Sequence, residues 1–264
     1  MDIKASNNYL YNKYLDVFSF ADKIVAKGPA SFEAKTVNSL SEKITLFHYA
    51  RALYLLQSIM VLCSEGYATE AMIILRSLLN LFINIRWLTS EEIDYCNVKY
   101  RMERYADYDV VFKKKYQDNI IKFSPGVISE DEHTFFNQEF ERIKKKYPKE
   151  TNFDPRFWSG RSIFDMASEV SLESEYRILY SQLSELEHTG PSSKNKYIDL
   201  SSKGKMKIKT GPRDKDISMV LLTAISYFID VNALTHIVFK LELDNLKRDK
   251  EALNVLKNKY LNLK

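Results

Sequence analysis

Apolar residues recur every three or four positions over most of the chain, which is the period of an amphipathic α-helix. The pattern predicts a first helix over residues 6–26, which the Gly-Pro pair at 28–29 should stop. A second helix is predicted over residues 38–66, with Ser39 or Ser41 as its N-terminal cap. Helices are therefore the expected building units from the start of the chain.

A third helix is predicted over residues 70–88, with Thr69 as its cap. This segment is apolar almost all round, so we expect it at the centre of a bundle. Only three residues, 65–67, separate it from the second helix, and so short a link makes the two helices antiparallel neighbours.

The rest of the chain shows more helices and one strand signal. Ser90-Glu91-Glu92 should start a polar, tyrosine-rich fourth helix. Alternating apolar and basic residues predict a small basic β-hairpin near residues 196–210. The later helices are expected at residues 91–122, 129–146, 163–170, 172–188, 217–243 and 248–263.

These patterns predict an all-α protein with one domain over residues 1–264, because no linker or internal repeat is visible. The core should come from residues 38–88 and 172–243. The helices at 91–122, 129–146 and 248–263 carry many charges and should lie at the periphery.

Composition agrees with a globular helical protein. The chain has 264 residues, of which 45% are hydrophobic and 28% charged, which excludes disorder. Only seven Gly and six Pro occur, so an all-β sandwich or a Gly-loop nucleotide fold is disfavoured. The chain also lacks GxGxxG and GxxxxGK[ST] loops and any local signature of a Ser/His/Asp or Cys/His triad.

The sequence predicts a cytoplasmic protein with no membrane span. Cys63 and Cys96 lie in helical stretches without metal-ligand or disulfide spacing, which fits a reducing compartment. The N-terminus lacks the features of a secretory signal. The two most apolar stretches, residues 71–88 and 217–243, are interrupted by charged residues, so we interpret them as core helices of a soluble protein.

The predicted third helix carries a polar stripe on its apolar surface. Arg76, Asn80 and Asn84 follow at intervals of four, which places them near one face of the helix. A buried guanidinium needs a partner, because leaving it unpaired costs several kcal/mol. That partner is either part of a structural network or dimer contact, or an anionic ligand in a cleft between helices.

A second stripe precedes the hairpin and supplies the catalytic candidates. Tyr180, Ser184 and His188 also recur every four residues, and we expect this stripe to face Arg76. His188 lies at the predicted helix end, where an imidazole can be protonated and can reach solvent. The catalytic set is therefore Arg76, His188, Ser184 and Tyr180, with Asn80 and Asn84 in a polar cleft. The alternative is a structural role for His188.

No metal or cofactor is predicted. Glu130-x-x-His133 and Glu185-x-x-His188 have the spacing of carboxylate-bridged metal pairs in helical bundles. That site also needs an inward-facing Glu on each of two other helices, and the core helix at 70–88 has none in its interior. We therefore interpret the two matches as chance.

The region between Lys194 and Arg213 is strongly basic, with seven Lys and Arg residues against Asp199 as the single acid. Such a ribbon can neutralise phosphates, and binding through it would depend strongly on salt. The alternative is a solvated hairpin whose lysines discourage edge pairing. The predicted nucleic-acid-binding residues are Lys203, Lys205, Lys207, Lys209 and Arg213.

Residues 40–188 contain two motifs, Glu70-Ala71-x-x-x-Leu75-Arg76-Ser77-Leu78-Leu79-Asn80 and Tyr180-x-x-Leu183-Ser184-x-x-x-His188. In these motifs the chain resembles an uncharacterised bacterial helical family, catalogued as domain of unknown function 5677. The family pattern has an acid where this chain has Asn80, so Arg76 is not expected to pair within its own helix. The resemblance implies no established activity.

More distantly, the architecture resembles HEPN-type helical bundles. That resemblance implies a dimeric, metal-independent ribonuclease of bacterial toxin or phage-defence systems. The hallmark of these enzymes, an Arg followed by a His after four to six residues, is missing here. A composite site would need Arg76 and His188 to meet in space, with His188 as general acid and base and Arg76 stabilising the phosphorane charge.

Two functions therefore stay open. The first is a HEPN-like ribonuclease or RNA-binding effector in stress or phage defence. The second is a non-enzymatic interaction or assembly module, in which Arg76, Asn80 and His188 form a buried polar network and the tyrosine-rich helix makes an interface. The expected partners are RNA or another nucleic acid in the first case, and a second copy or another protein in the second.

Overall fold

The computed structural model describes residues 9–33, 35–93, 97–147, 158–200, 206–209 and 211–261, and most of this part of the chain is helical, which confirms the all-α fold class. The longer helices are α2 (Leu15–Ala30), α3 (Leu40–Ser64), α4 (Ala68–Thr89), α5 (Val98–Phe123), α6 (Glu130–Lys146), α11 (Ile217–Val238) and α12 (Asp244–Leu261). The shorter elements are α1 (Tyr9–Lys13), α7 (Ile163–Glu169), α8 (Glu173–Glu175), a π-helical turn (Tyr176–Tyr180), α9 (Ser181–Glu187), a 3₁₀ turn (Pro191–Ser193), α10 (Lys194–Tyr197), β1 (Ile198–Leu200) and β2 (Met206–Ile208).

Helices α3, α4 and α11 pack against one another and form the centre of the bundle. Their facing side chains, among them Leu56, Leu78 and Phe228, are fully buried. Burying a side chain of this size contributes about 1.5–3 kcal/mol relative to leaving it exposed. Helix α12 covers α11, and α7 and α9 cover α4, so the side chains of α4 meet those of α9 at the edge of this centre.

Local sequence signals explain where several helices begin. Ser39, one of the two predicted cap residues of this helix, caps α3 through a reciprocal capping box with Glu42. Ser129 caps α6, whose acidic first turn and basic last turn suit the helix dipole. Gly66 takes a left-handed conformation, φ +79°, and turns the chain sharply between α3 and α4. The two helices are direct neighbours, as so short a link requires.

Several predicted boundaries were wrong. Helix α4 begins at Ala68 after Tyr67, so Thr69 lies inside the helix and does not cap it, and α11 ends at Val238 instead of residue 243. Helix α2 continues through Gly28 and Pro29 and ends at Ala30, because Gly28 is buried against the Tyr49 ring and Pro29 falls in the last turn. The fourth helix begins at Val98 rather than near Ser90, and Asn97 caps it. The carbonyl of Ser90, whose backbone is extended, instead accepts a hydrogen bond from the buried Arg101.

Helices α5 and α6 form an antiparallel pair with a small apolar cluster of their own, made by Val111, Ile143 and Tyr147. Trp158 joins this pair to the bundle, since its ring packs edge-on against both Trp87 and Tyr105. Residues 148–157, which precede Trp158, lie outside the described part of the chain. Several apolar side chains of the two helices and of the link between them are exposed, namely Phe112, Tyr116, Phe123, Val127 and Phe135.

Within the described residues, three helices are long and apolar enough to cross a membrane by length and composition, namely α3, α4 and α11. In the most apolar window of each, 44%, 61% and 61% of the residues are buried inside the fold. The same apolar residues thus supply the central packing described above.

Candidate functional site

Arg76 lies in the middle of α4 and reaches across to α9. One guanidinium nitrogen, Nη2, donates a hydrogen bond to the Tyr180 hydroxyl over 2.9 Å, and the other, Nη1, pairs with the Glu187 carboxylate. The guanidinium carbon also lies 4.6 Å from the centroid of the Tyr180 ring, within cation–π range. The side chain is only 18% exposed. Tyr180 and Glu187 therefore partner the two Nη atoms of Arg76, while its buried Nε has no hydrogen-bond partner in the described part of the chain.

The segment that carries Tyr180 is held in place by stacking. A π-helical turn at Tyr176–Tyr180 precedes α9, and the Tyr176 and Tyr180 rings stack with centroids 4.5 Å apart. Desolvation, together with the neighbouring Tyr180, raises the pKa of Tyr176 above its usual value, so its hydroxyl stays neutral at physiological pH. Single π-helical turns in helices often lie at functional sites.

His188 ends α9 and points outward. It follows Glu187 as the C-cap residue, and a left-handed Thr189 then turns the chain away from the helix. The side chain of His188 is 69% exposed, and its Nε2 lies 3.7 Å from Oε2 of Glu187. The same oxygen pairs with Arg76. Arg76 and His188 thus approach one another through a shared carboxylate.

Glu187 is the residue that the sequence analysis missed. The predicted stripe used a spacing of four, which advances about 40° around a helix at each step, so His188 is rotated by about 80° from Tyr180. A spacing of seven returns to within about 20°, which places Glu187 on the face of Tyr180. A buried Arg usually pairs with a carboxylate. That rule and the spacing of seven together point to Glu187. We call Arg76, Tyr180, Glu187 and His188 the Glu187 cluster.

The other predicted cleft residues lie beside or beyond this cluster. Ser184 is half-buried on α9 between Tyr180 and His188. Asn80 and Asn84 are half-buried further along α4, and Asn84 lies about 12 Å from Arg76 along the helix axis. The Oδ1 of Asn84 is buried and has no hydrogen-bond partner in the described part of the chain. The polar stripe of α4 therefore joins the Glu187 cluster at its Arg76 end.

The predicted hairpin is present and antiparallel, with Asp199 opposite Lys207. Lys207 is exposed, and Lys209 pairs with Asp199 over 2.8 Å. Arg213 donates from Nη1 to the Lys196 carbonyl over 2.8 Å, and its own backbone N–H donates to the Gly66 carbonyl. The predicted binding residues Lys203 and Lys205 lie outside the described residues. Lys209 and Arg213 thus lie where the base of the hairpin meets the start of α4.

The two Glu-x-x-His pairs lie apart. His133 lies on α6, where its Nε2 is 3.7 Å from Asp118. The Glu185 carboxylate folds over Gly190, so closely that a Cβ at position 190 would lie 2.0 Å from one of its oxygens. In the described ranges, no three His, Cys, Asp or Glu side chains gather into a metal-ligand group.

Comparison with known proteins gives one match. The model of a family described as "Family of unknown function (DUF5677)" matches residues 42–206. No curated protein and no solved structure matches the chain. The matched range includes Arg76 and all of α9, so it contains every residue of the Glu187 cluster. The more distant HEPN-like resemblance stays a prediction.

Proposed function

The chain belongs to the DUF5677 family, and we propose that it is a cytoplasmic, metal-independent ribonuclease with the Glu187 cluster as its active site. The observation that carries this proposal is the approach of Arg76 and His188 to the same Glu187 oxygen at the surface. An imidazole can act as general acid and base and a guanidinium can stabilise a phosphorane, which are the two tasks of phosphodiester cleavage through the ribose 2′-hydroxyl.

Each residue has a role that follows from its place. His188 is exposed, so it can reach a ribose hydroxyl and can exchange its proton with solvent. Glu187, with one oxygen 3.7 Å from Nε2 of His188, stabilises the imidazole electrostatically when it becomes charged. Arg76 provides N–H donors for a phosphate oxygen, and Tyr180 fixes the plane of the guanidinium.

The chemical step balances without another reactant. His188 accepts the proton of the 2′-hydroxyl while that oxygen attacks phosphorus, and the bond from phosphorus to the 5′-oxygen breaks. The imidazolium then returns the proton to the 5′-oxygen. The products are a 2′,3′-cyclic phosphate and a 5′-hydroxyl. Arg76 stabilises the negative charge that gathers on the phosphoryl oxygens in the transition state.

The basic region near α4 supports RNA as the substrate class. Lys196, Lys209, Arg213 and Lys215 gather where the hairpin meets the start of α4, two turns before Arg76 on that helix. Such cations bind phosphates without reading the bases, so binding should fall as the salt concentration rises. A role in bacterial stress or phage defence is our proposal for the setting of this activity.

The test is incubation of the purified protein with total bacterial RNA, with and without a chelator. We expect cleavage by the wild type in both conditions and a loss of at least about 100-fold in His188→Ala, the usual size of a general acid–base contribution. His133→Ala is the matched control and should cleave normally, since His133 lies on α6. Cleavage that persists in His188→Ala, or that disappears with chelator, would contradict the proposal.

A second function is favoured by a different observation. Phe112, Tyr116 and Phe123 lie exposed on α5, the tyrosine-rich helix that the sequence assigned to a protein interface. Clustered exposed aromatic residues are typical of interaction surfaces. Under this alternative the protein binds a partner protein or a second copy, and the Glu187 cluster only stabilises the contact between α4 and α9. If the protein neither binds nor cleaves RNA, that result would favour this alternative.

A further inference from the structure

Two cavities meet beside the first turns of α4. The larger lies between α9 and α11, and the smaller lies between the base of the hairpin and the start of α4. Lys196 and Asp216 line both cavities, and their side chains are paired over 2.7 Å. The ion pair is therefore a wall that the two cavities share.

The larger cavity has the size and lining of a small-molecule site. Its volume is about 520 Å³, within the range of roughly 300–1,000 Å³ that is usual for such sites. Met72, Leu179, Leu183 and Met219 give it an apolar lining. A few polar side chains also line it, namely Ser181, Gln182, Glu185 and Ser192. Such a lining suits a flat, mainly apolar body that carries hydrogen-bonding groups at its edge.

The smaller cavity is cationic. Its volume is about 90 Å³, too small for an aromatic base but suited to a single phosphate group. Its lining carries four basic and two acidic side chains, which leaves a net positive charge, namely Lys196, Lys209, Arg213, Lys215, Glu70 and Asp216. The pairs of Lys196 with Asp216 and of Lys209 with Asp199 use part of this charge.

The backbone around the smaller cavity adds to its preference for an anion. Residues 68–70, the first turn of the 22-residue helix α4, form part of its lining, and the N-cap Tyr67 gives them no side-chain cap. The positive end of the helix dipole therefore acts in the same direction as the four cations. Asp216, in the shared wall, has a left-handed backbone with φ 70° where the chain enters α11.

We propose that the two cavities together bind one nucleotide, with the base and ribose in the larger cavity and the phosphate in the smaller. A nucleotide carries a flat base with hydrogen-bonding edges and an anionic phosphate in one molecule, which matches a mainly apolar cavity next to a cationic one. The source is either a free nucleoside monophosphate or the phosphorylated end of an RNA strand. The site is distinct from the Glu187 cluster, so the proposal does not depend on cleavage.

Its position relates it to the proposed active site. Met72 in the larger cavity and Arg76 lie one turn apart on α4. Thr69, which lines the smaller cavity, lies about 10 Å before Arg76 along the helix axis. A terminal nucleotide held in the two cavities would therefore anchor an RNA strand next to the Glu187 cluster.

Calorimetric titration of the full chain tests the proposal, with the four ribonucleoside monophosphates, their nucleosides and inorganic phosphate as probes. We expect at least one monophosphate to bind at least tenfold more tightly than its nucleoside or phosphate alone. Lys215→Ala should weaken the binding of that monophosphate about tenfold and leave the binding of the nucleoside unchanged, because it removes one charged contact to the phosphate. Ser181→Trp, which fills the larger cavity, should weaken the binding of the monophosphate and of the nucleoside but not the binding of phosphate.

Lys194→Ala is the matched control, since Lys194 is an exposed lysine of the same region that lines neither cavity. Circular dichroism verifies that each variant is folded. A 5′-phosphorylated, 2′-O-methylated tetranucleotide distinguishes the sources: tighter binding than the monophosphate identifies an RNA end, and weaker binding identifies the free nucleotide. The proposal is overturned if every monophosphate binds no better than phosphate, or if Lys215→Ala and Lys194→Ala behave alike. His188→Ala should keep full nucleotide binding, which separates this site from the active site.

Discussion

The contact between Arg76 and Glu187 allows a quantitative test of the site. The two side chains are 18% and 32% exposed, so the pair lies between a surface ion pair, worth about 0.2–1 kcal/mol, and a buried pair, whose disruption costs about 3–5 kcal/mol. Partial solvent screening places it near the lower range. We therefore expect Glu187→Gln to lower the free energy of unfolding by about 1 kcal/mol, while Arg76 keeps its bond to Tyr180.

A double-mutant cycle isolates the pair. Urea unfolding of the wild type, Arg76→Ala, Glu187→Gln and the double variant should give a coupling free energy of about 1 kcal/mol. The matched control is the pair of Arg177 and Glu173 on the neighbouring turn, with side chains 63% and 48% exposed, whose coupling should be smaller because water screens it. A coupling for Arg76 and Glu187 no larger than for the control pair would refute the assignment of Glu187.

Three further predictions concern the fold. Ser39→Ala removes half of the capping box of α3 and should lower the free energy of unfolding, measured with urea, by about 1 kcal/mol. An unchanged free energy of unfolding would show that the cap does not stabilise α3. Gly66→Ala should lower the midpoint of thermal unfolding far more than Gly126→Ala. Both positions have a positive φ, but only at Gly66 would the new Cβ meet other atoms, at 2.6–2.9 Å. Equal midpoints for the two variants would contradict this packing around Gly66. Burial holds the pKa of His48 below its usual value, so the unfolded chain binds the proton more readily and the free energy of unfolding should fall as the pH drops through about 6.5. His48→Gln should make that fall smaller, and parallel pH profiles of the wild type and the variant would show that His48 is not its cause.

Local chemistry made much of the fold predictable. Helix α3 was placed to within two residues, because Ser39 and Glu42 form a cap that depends only on neighbours in sequence. The start of α5 was misplaced for the opposite reason. Ser90 and the two glutamates after it resemble a helix start, but the Ser90 carbonyl accepts from the side chain of Arg101, eleven residues further along, and Asn97 caps the helix. A pattern of neighbouring residues does not encode such a contact.

The candidate site was predictable in part. Helical spacing identified Arg76 and Tyr180 as candidates, and the two side chains are in contact. Spacing by four missed Glu187, and the π-helical turn before α9 shifts the register in a way that propensities do not encode. The cationic cavity joins Lys196 and Lys215 to Thr69, residues more than a hundred positions apart, so only the folded chain could reveal it.

The most direct test of the ribonuclease activity uses a short RNA and its 2′-O-methylated counterpart, each incubated with the protein in the presence of a chelator. We predict that the wild type cleaves only the unmodified RNA and leaves a 2′,3′-cyclic phosphate and a 5′-hydroxyl. Arg76→Ala and His188→Ala, both folded by circular dichroism, should each cleave at least about 100-fold more slowly. Equal cleavage of the two oligonucleotides, or an unchanged rate in His188→Ala, would contradict the assignment of the Glu187 cluster as the active site.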